Sequence, residues 1–464
     1  MQYSKAFIKK NISPKRETLK KNGFISEMGY ILPSVLLIGF LVISMLFSVF
    51  VIVSFNLQLD IKRFNKKKFE LISYSAAHKH LRRFSHDLSF GSYSTVVDSY
   101  PLLVTYGMKG LFYTFLIESK QRGDSSKTAF MFNLSINPEF ENALIISKQN
   151  ATLSVVGKTR ITGDMLTSSN NINYGNIFGF SSSNKNFLEG KIKVSKEIRT
   201  KLFADTLVKK IYSFIPDNSF KIIEGSVSFS SGELNQLKNV FIKGDLRLTG
   251  KGSSKVNYTN VKIKVGGKLI IDEGTELTRE VEIHCDSAVE IGRNVKLENV
   301  LIATRSSITI GQQTELQYVQ LFSTKSIQSD QAYFKFPSVL CLYTETANKE
   351  NYNNQMELKS TTLNGSAMLV CDIAGLSGNQ SKIIIDEKSV VQGIVYSENY
   401  AEIQGEVKGS VYVNSLRYYK EPAEYLNWMI DLNINRKKLD PEFLLPVGFS
   451  NEQKYKLVRE TWIY

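Results

Sequence analysis

Three consecutive stretches decide the fold of this 464-residue chain: VKIKVGGKLIIDEGTELTRE (residues 261–280), VEIHCDSAVEIGRNVKLEN (residues 281–299) and VLIATRSSITIGQQTELQY (residues 300–318). Aligned on their first residues, they carry apolar residues at the same offsets, 0, 2, 8, 10 and 16. These positions are Val261, Ile263, Leu269, Ile271 and Leu277; Val281, Ile283, Val289, Ile291 and Leu297; and Val300, Ile302, Ile308, Ile310 and Leu316. Five matches in three successive units indicate an internal repeat.

The period of the repeat indicates the type of fold. Val240 and Val319 extend the series on either side, so the spacings are 21, 20, 19 and 19 residues. TPR, ankyrin and WD40 units are longer, whereas one coil of a parallel β-solenoid has this length. Apolar residues two apart lie on one face of a strand, and gaps of about six residues between such pairs allow three short strands per coil. We therefore predict a mainly β chain whose body is a parallel β-solenoid.

Turn residues support the same period. The segments DEGT (272–275), GRNV (292–295) and GQQT (311–314) occupy one corner of each predicted coil, where Gly and Asn tolerate the bend. The later segment IIDEKSVV (384–391) repeats IIDEGTEL (270–277). We therefore expect the solenoid to cover residues 223–415, with an irregular insertion around 330–363. Residues 91–222, with short apolar runs between Asn, Ser and Gly clusters, form a mixed strand and loop region.

The tail at residues 416–464 has a different pattern. In EPAEYLNWMIDLNINRKKLDPEF (421–443), Pro422 lies near the expected start of a helix and Pro441 after its end. Apolar residues suited to one helix face are Tyr425, Leu426, Trp428, Met429 and Leu432. We predict a C-terminal helix that caps the last coil; a docking helix for a partner is the alternative.

A second strong signal lies near the N-terminus. The stretch YILPSVLLIGFLVISMLFSVFVIVSF (30–55) contains no charged residue, and a helix needs roughly 20 apolar residues to cross a bilayer. We therefore predict a basic leader at residues 1–28, a single transmembrane helix at 29–59 and a juxtamembrane helix at 60–90.

The charge distribution argues for a lipid partner and against nucleic acid. The chain has 58 Lys and Arg against 44 Asp and Glu, a net charge of +14. Residues 1–84 hold 15 of these cations and four acids, which is +11 and leaves only +3 for the remainder. Cations at both ends of an apolar helix are attracted to anionic headgroups of the bilayer.

Orientation follows less directly from the charges. Seven Lys and Arg precede the span and eight follow it closely, so the positive-inside rule nearly cancels. A short basic tail before an apolar segment is the arrangement of a signal anchor. We therefore expect the tail inside and the body outside the cytoplasm, anchored in the inner (cytoplasmic) membrane.

The segment NGFISEMGYILPSVLLIGFL (22–41) resembles the N-terminal segment of type IV pilins and pseudopilins, with a basic leader, a Gly, an aromatic residue and an apolar helix. The resemblance implies cleavage after Gly29, which exposes Tyr30, or after Gly23, which exposes Phe24. The family pairs subunits through a Glu five residues beyond the cut. Here Pro33 and Ser34 occupy that region, or Glu27 lies one place early, as in large minor pseudopilins that lack this Glu. An uncleaved signal anchor is the alternative.

The repeat region resembles the polymer-forming cytoskeletal (bactofilin) solenoids, and the fragment VEIGRN (289–294) is similar to hexapeptide acyltransferases. Periodicity of this kind is shared by many solenoids, so the resemblance implies a fold and not an activity.

The sequence offers little for catalysis. A polysaccharide-cleaving solenoid needs converging acids, but the column through Asp272 continues as Gly292 and Gly311. We interpret Asp272-Glu273 and Asp386-Glu387 as solvated turn residues, and His284 as an incidental surface residue. His78, His80 and His86 share no single helix face, so we expect no metal site.

The three cysteines have no CxxC spacing. Cys285 is expected to be a small buried hydrophobe, whereas Cys341 and Cys371 could pair in an oxidising compartment. We expect no catalytic residue, cofactor or bound metal.

These observations favour a non-catalytic, membrane-anchored structural protein outside the cytoplasm. The pilin resemblance implies a minor pilin-like component of a type IV pilus or a secretion-like envelope assembly, with pilin-like or other envelope proteins as partners. The alternatives are a membrane-tethered bactofilin-like scaffold that faces the cytoplasm and, third, an enzyme that acts on envelope polysaccharide.

Overall fold

The computed structural model of the chain describes residues 31–81, 91–97, 100–121, 124–132, 138–177, 180–181, 186–250, 261–345, 353–441, 443–449 and 461–462. The chain divides into two compact units, Met1–Phe69 and Glu70–Tyr464, and each is described by itself. Strands make up 50% of the chain and helices 17%, so the protein is mainly β, as predicted.

Helix α1 (Ile31–Leu81) contains the predicted apolar stretch and continues without a break through the basic residues that follow it. Its portion Leu32–Ser73 is long and apolar enough to cross a membrane, and it is the one such helix among the described residues. Large apolar side chains along its first half are exposed: Leu36 is 66% and Phe40 68% accessible. Pro33 lies in the first turn, where its missing N–H has no intrahelical partner to lose.

Four antiparallel strands form a small sheet. They are β1 (Ser92–Val97), β2 (Tyr100–Lys109), β3 (Phe112–Gln121) and β4 (Asp124–Phe132), and they follow one another as neighbours, with β37 (Thr461–Trp462) beside β4.

All other strands, in chain order, are β5 (Leu144–Ile146), β6 (Leu153–Val156), β7 (Arg160–Thr162), β8 (Met165–Thr167), β9 (Ile172–Tyr174), β10 (Asn176–Ile177), β11 (Phe180–Ser181), β12 (Leu188–Glu189), β13 (Ile192–Val194), β14 (Lys221–Ile223), β15 (Val227–Ser230), β16 (Asn239–Ile242), β17 (Leu246–Thr249), β18 (Val261–Val265), β19 (Leu269–Ile271), β20 (Glu276–Cys285), β21 (Val289–Ile291), β22 (Lys296–Thr304), β23 (Ser307–Ile310), β24 (Glu315–Gln317), β25 (Gln320–Ser323), β26 (Ser326–Asp330), β27 (Tyr333–Thr344), β28 (Gln355–Lys359), β29 (Thr362–Cys371), β30 (Lys382–Ile385), β31 (Val390–Ile403), β32 (Glu406–Val407), β33 (Ser410–Lys420), β34 (Ala423–Leu426), β35 (Trp428–Ile430) and β36 (Asn433–Asn435). Helix α2 (Thr206–Tyr212) lies between β13 and β14, and 3-10 turns cover Pro138–Glu141, Glu233–Gln236 and Arg436–Lys438.

A single large sheet of 27 strands, nearly all parallel, joins most of these elements. Its register confirms the repeat: Val261 pairs with Val281 and Val281 with Val300. The other offsets align in the same way, as Leu269 with Val289 and Leu277 with Leu297. All fifteen apolar positions of the three units are at most 3% exposed and belong to one core cluster.

The first step of the series differs from the prediction. Val240 pairs with Ile263 and not with Val261, so the spacing there is 23 residues. Because apolar residues occur at both positions, the sequence pattern alone does not distinguish a shift by one pair.

The predicted corner is a column of residues with positive φ, among them Gly274 (71°), Asn294 (54°) and Gln313 (58°). The Gly274 N–H donates to the Arg293 carbonyl of the next unit at 2.9 Å, and the Asn294 N–H donates to that of Gln312 at 3.0 Å. A Cβ on Gly311 would lie 2.8 Å from the backbone of Gly292, so this column needs glycine for close approach.

The insertion predicted around 330–363 is largely absent, because β27, β28 and the start of β29 fall within that range. Leu340 of β27 pairs with Leu321 on one side and Ala367 on the other. The register of β27 against β29 shifts between Phe334 and Ser338, and this irregularity hid the period in the sequence. Residues 346–352 lie outside the described part of the chain.

The predicted C-terminal helical cap is wrong: the segment forms the strands β34, β35 and β36. Strand β34 makes an antiparallel hairpin with β33, while β36 pairs in parallel with both β32 and β7. Asn427 and Asp431 have φ values of 60° and 51°, which interrupt any helix. Neighbouring strands supply the hydrogen bonds, so tertiary pairing overrides the helical spacing of the apolar residues.

The N-terminal part of the body extends the C-terminal side of the large sheet. Strand β5 pairs with β33, and β8 then pairs with β5. Parallel pairing thus leads from β14 through β16, β18, β20, β22, β25, β27, β29, β31, β33, β5 and β8 to β13. The sequence gave no sign of this order, because residues 138–195 lack the regular repeat.

Replacing Ile291 with Asp should place an unpaired carboxylate in the core, since Ile291 is 3% exposed, and should lower the free energy of unfolding by several kcal/mol. The control is Asp272→Ala. Asp272 accepts from Arg247 Nε at 2.8 and 2.9 Å in a solvent-accessible pair, so its loss should cost less than about 1 kcal/mol. Denaturant unfolding of the full chain in detergent, followed by circular dichroism, compares them. Equal losses would contradict the inward assignment of Ile291.

Candidate functional site

The predicted cleavage positions, Gly29 and Tyr30 with the alternative Gly23 and Phe24, lie outside the described residues. Cleavage therefore stays a prediction.

All three cysteines are buried and free, so the possible Cys341–Cys371 disulfide is not formed. The two residues lie on neighbouring strands but three positions out of register, because Cys341 pairs with Met368 and Cys371 with Thr344. Cys371 belongs to the inner core cluster, whereas Cys341 belongs to a second cluster. Burial raises the pKa of each thiol, that of Cys285 to about 11, so none is a ready nucleophile.

His284 is not a surface residue, contrary to the sequence interpretation; it is 5% exposed. Its Nε2 lies 2.8 Å from Glu282 Oε1, and its ring stacks on Phe214 at a centroid distance of 4.0 Å. Burial opposes the charge on Glu282, but the hydrogen bond from His284 and the charge of Lys262 lower its pKa to about 2. This pair is a packed structural contact with little access for a substrate.

The two acidic turns are part of the corner structure. Asp386 accepts the Ser360 N–H at 3.0 Å and the Ser389 hydroxyl at 2.5 Å, so it is not simply solvated. Asp272 pairs with Arg247, and Asn294 donates to Glu273 at 3.3 Å. Among the described residues, no group of three or more His, Cys, Asp or Glu could hold a metal ion.

The most unusual feature of the body is the segment of residues 196–220, here called the strap. It joins β13 to β14, which lie at opposite ends of the long parallel pairing described above. Its printed contacts follow that route: Tyr412 O–H donates to Arg199 O, Lys201 Nζ to Cys371 O at 2.7 Å, Leu202 N–H and Phe203 N–H to Tyr396 Oη at 2.9 and 3.2 Å, Tyr212 stacks on Tyr343, and Phe214 stacks on His284. The strap therefore covers outward-facing aromatic residues of β33, β31, β27 and β20.

A fully buried carboxylate, Glu398, lies beneath the strap. Its Oε1 accepts from the Tyr396 hydroxyl at 2.6 Å, and its Oε2 accepts from the Cys371 N–H at 2.7 Å. Burial raises the pKa of Glu398 to about 7, although these hydrogen bonds and the nearby Lys201 oppose the shift. The same Tyr396 oxygen that receives the two strap N–H groups thus passes its own proton to Glu398, which links strap and carboxylate through one hydroxyl.

This arrangement can couple proton binding to the packing of the strap. Lys201 also pairs with Asp205 of the strap at 3.3 Å, and Asp205 pairs with Lys209 at 2.8 Å. Sequence reasoning missed Glu398, because a single Glu between the apolar runs of β31 resembles a turn residue. No local signal identifies it, since its burial depends on residues about 200 positions earlier.

Comparison of the chain with protein-family models, with curated proteins and with solved structures finds no match in any of the three. What the chain does therefore has to be inferred from its own residues.

Replacing Glu398 with Gln should make stability less dependent on pH. A carboxyl whose pKa is raised on folding contributes stability that is complete below its unfolded pKa and is lost as pH rises through about 7. We expect Glu398→Gln to exceed the native chain in unfolding free energy by about 3 kcal/mol at pH 8, and by little at pH 5. The exposed Glu273→Gln is the control. Denaturant titrations at both pH values decide, and a difference that does not change with pH would refute the coupling.

Proposed function

We propose that this chain is a membrane-anchored, non-catalytic structural protein with a parallel β-solenoid body outside the cytoplasm. The observation that carries the proposal is the apolar helix α1, whose large side chains are exposed, in a chain that otherwise forms a large, stacked parallel sheet. An anchor and a stiff body are the components of a scaffold.

The solenoid interpretation draws on the parallel register. Successive units pair strand on strand at spacings of 19 to 23 residues, as for Leu301 with Gln320 and Val240 with Ile263. Inward columns are apolar and corners repeat positive φ values, as expected of coils that stack along one axis.

The membrane interpretation draws on the exposed apolar surface. Burying such side chains in lipid is favourable, at about 25 cal/mol per Å² of apolar area. Exposed cations follow the span in the same helix: Lys62, Arg63, Lys66, Lys67 and Lys68. They are suited to contact anionic headgroups of the inner membrane.

A minor pilin-like role in a type IV pilus or secretion-like envelope assembly follows from the resemblance at residues 22–41. A bactofilin-like scaffold that faces the cytoplasm is the second candidate, and the nearly equal counts of cations on the two sides of the span favour neither. Acids tied into corners, such as Asp386 and Asp272, support a non-catalytic role over an enzyme that acts on polysaccharide.

Topology separates the two candidates. Alkaline phosphatase fused after Tyr464 should be active, because this reporter folds only outside the cytoplasm. β-Galactosidase at the same position, active only inside, is the matched control and should be inactive. The opposite pattern would exclude the extracytoplasmic assembly and favour the cytoplasmic scaffold.

Processing is a separate test. Mass spectrometry of the purified mature chain should find Tyr30, or Phe24 for the alternative cut, as the first residue. Gly29→Leu should abolish a cut after residue 29 without preventing insertion, because the hydrophobicity of the span is unchanged. An intact N-terminus in the native chain would leave only a signal anchor.

A further inference from the structure

We propose that an open groove on the outer face of the large sheet, at β32, β36 and β7, binds a linear glycan. The groove has a volume of about 930 Å³. Its floor consists of three neighbouring parallel strands, and one wall carries Tyr418 and Lys420 of the β33–β34 hairpin. This goes beyond the proposed function, because an anchored scaffold needs no ligand.

The floor carries a ladder of polar side chains in register. Glu406 pairs with Asn433, and Asn433 pairs with Arg160, so an acceptor, an amide and a donor follow one another. Neighbouring strands are about 4.8 Å apart, and the three side chains therefore extend over about 10 Å. A linear glycan presents hydroxyl groups at regular intervals, and such a ladder can bind several of them at once.

The polar groups are partly fixed in position. Lys438 donates to Glu406 Oε1 at 3.1 Å, and the Lys158 N–H donates to Asp431 Oδ1 at 2.7 Å. Side chains that are held before binding lose less entropy on binding.

One buried acceptor in the groove has no partner. Asn435 Oδ1 is inaccessible to solvent and accepts no hydrogen bond within the described part of the chain. Buried polar atoms are nearly always satisfied, so an orphan that lines an open groove indicates a missing donor. A sugar hydroxyl can supply it.

Other classes of ligand fit less well. Ile430 is the one aliphatic side chain among the described lining residues, and it is buried, so apolar ligands and hydrophobic peptides find little surface. The floor strands are paired on both sides, with β31, β32, β36, β7 and β12 as successive neighbours, so a peptide cannot add as a strand. Three carboxylates, of Glu387, Glu406 and Asp431, repel the phosphates of nucleic acids. The half-buried ring of Tyr418 offers a flat face on which a sugar ring can pack.

Isothermal titration calorimetry tests the proposal with the full chain in a sugar-free detergent. The probes are hexasaccharides of β-1,4-linked N-acetylglucosamine, of glucose and of galacturonate. We expect at least one to bind, with a Kd that rises at least about tenfold in Asn433→Ala and in Asn435→Ala.

Asn435→Ala distinguishes binding from stability. It removes an unsatisfied acceptor, so the variant should be at least as stable as the native chain while it loses affinity. Thr309→Ala, at an exposed strand position outside the groove, should leave the Kd unchanged. The proposal is overturned if no hexasaccharide binds at millimolar concentration, if both groove variants bind as the native chain does, or if an extended peptide of mixed charge binds in their place. None of these outcomes depends on the topology of the chain, so the groove and the proposed function fail separately.

Discussion

Parallel register is the constraint on which the rest of the body depends. When Val281 lies between Val261 and Val300, the backbone hydrogen bonds of each unit are satisfied by its neighbours, and the apolar columns close without gaps. A slip by one residue would turn every inward side chain outward, so hydrogen bonding and burial select the same register. The corners obey it too: a left-handed residue such as Asn294 recurs in each unit, because its N–H must reach the next unit's carbonyl.

The same constraint accounts for the strap. Because β5 and β8 stack beyond β33 while β14 lies at the far side, the chain has to return over the outside of the sheet. A return segment needs partners, and the outward tyrosines of β27, β31 and β33 provide them. Burying this face removes Glu398 from water, so its raised pKa is a consequence of topology as well as of its immediate neighbours.

The sequence predicts those parts of the fold in which short-range periodicity and packing agree. All fifteen core positions of residues 261–318, the glycine at Gly311 and the apolar helix are readable, because each follows from local spacing. Prediction fails where pairing at long range decides: the bulge at Phe334–Ser338 masked a regular unit, and β36 forms because β32 and β7 lie on either side of it. Glu398 and His284 were missed for the same reason, since the strap that buries them lies far away in the sequence.

The groove illustrates where new chemistry can arise in such a body. Inward positions are fixed by packing, whereas outward positions such as Asn433 are free of the core, so substitutions there change the surface at little cost in stability. Regular units present short, similar outward rows; at β32, β36 and β7 the sheet brings together residues 158–162 and 387–438, which no repeat connects. A site of that kind has no motif, because its two halves become neighbours only when the N-terminal strands stack onto the C-terminal ones. The step that makes the chain order irregular is thus also the one that assembles a ligand-sized polar surface.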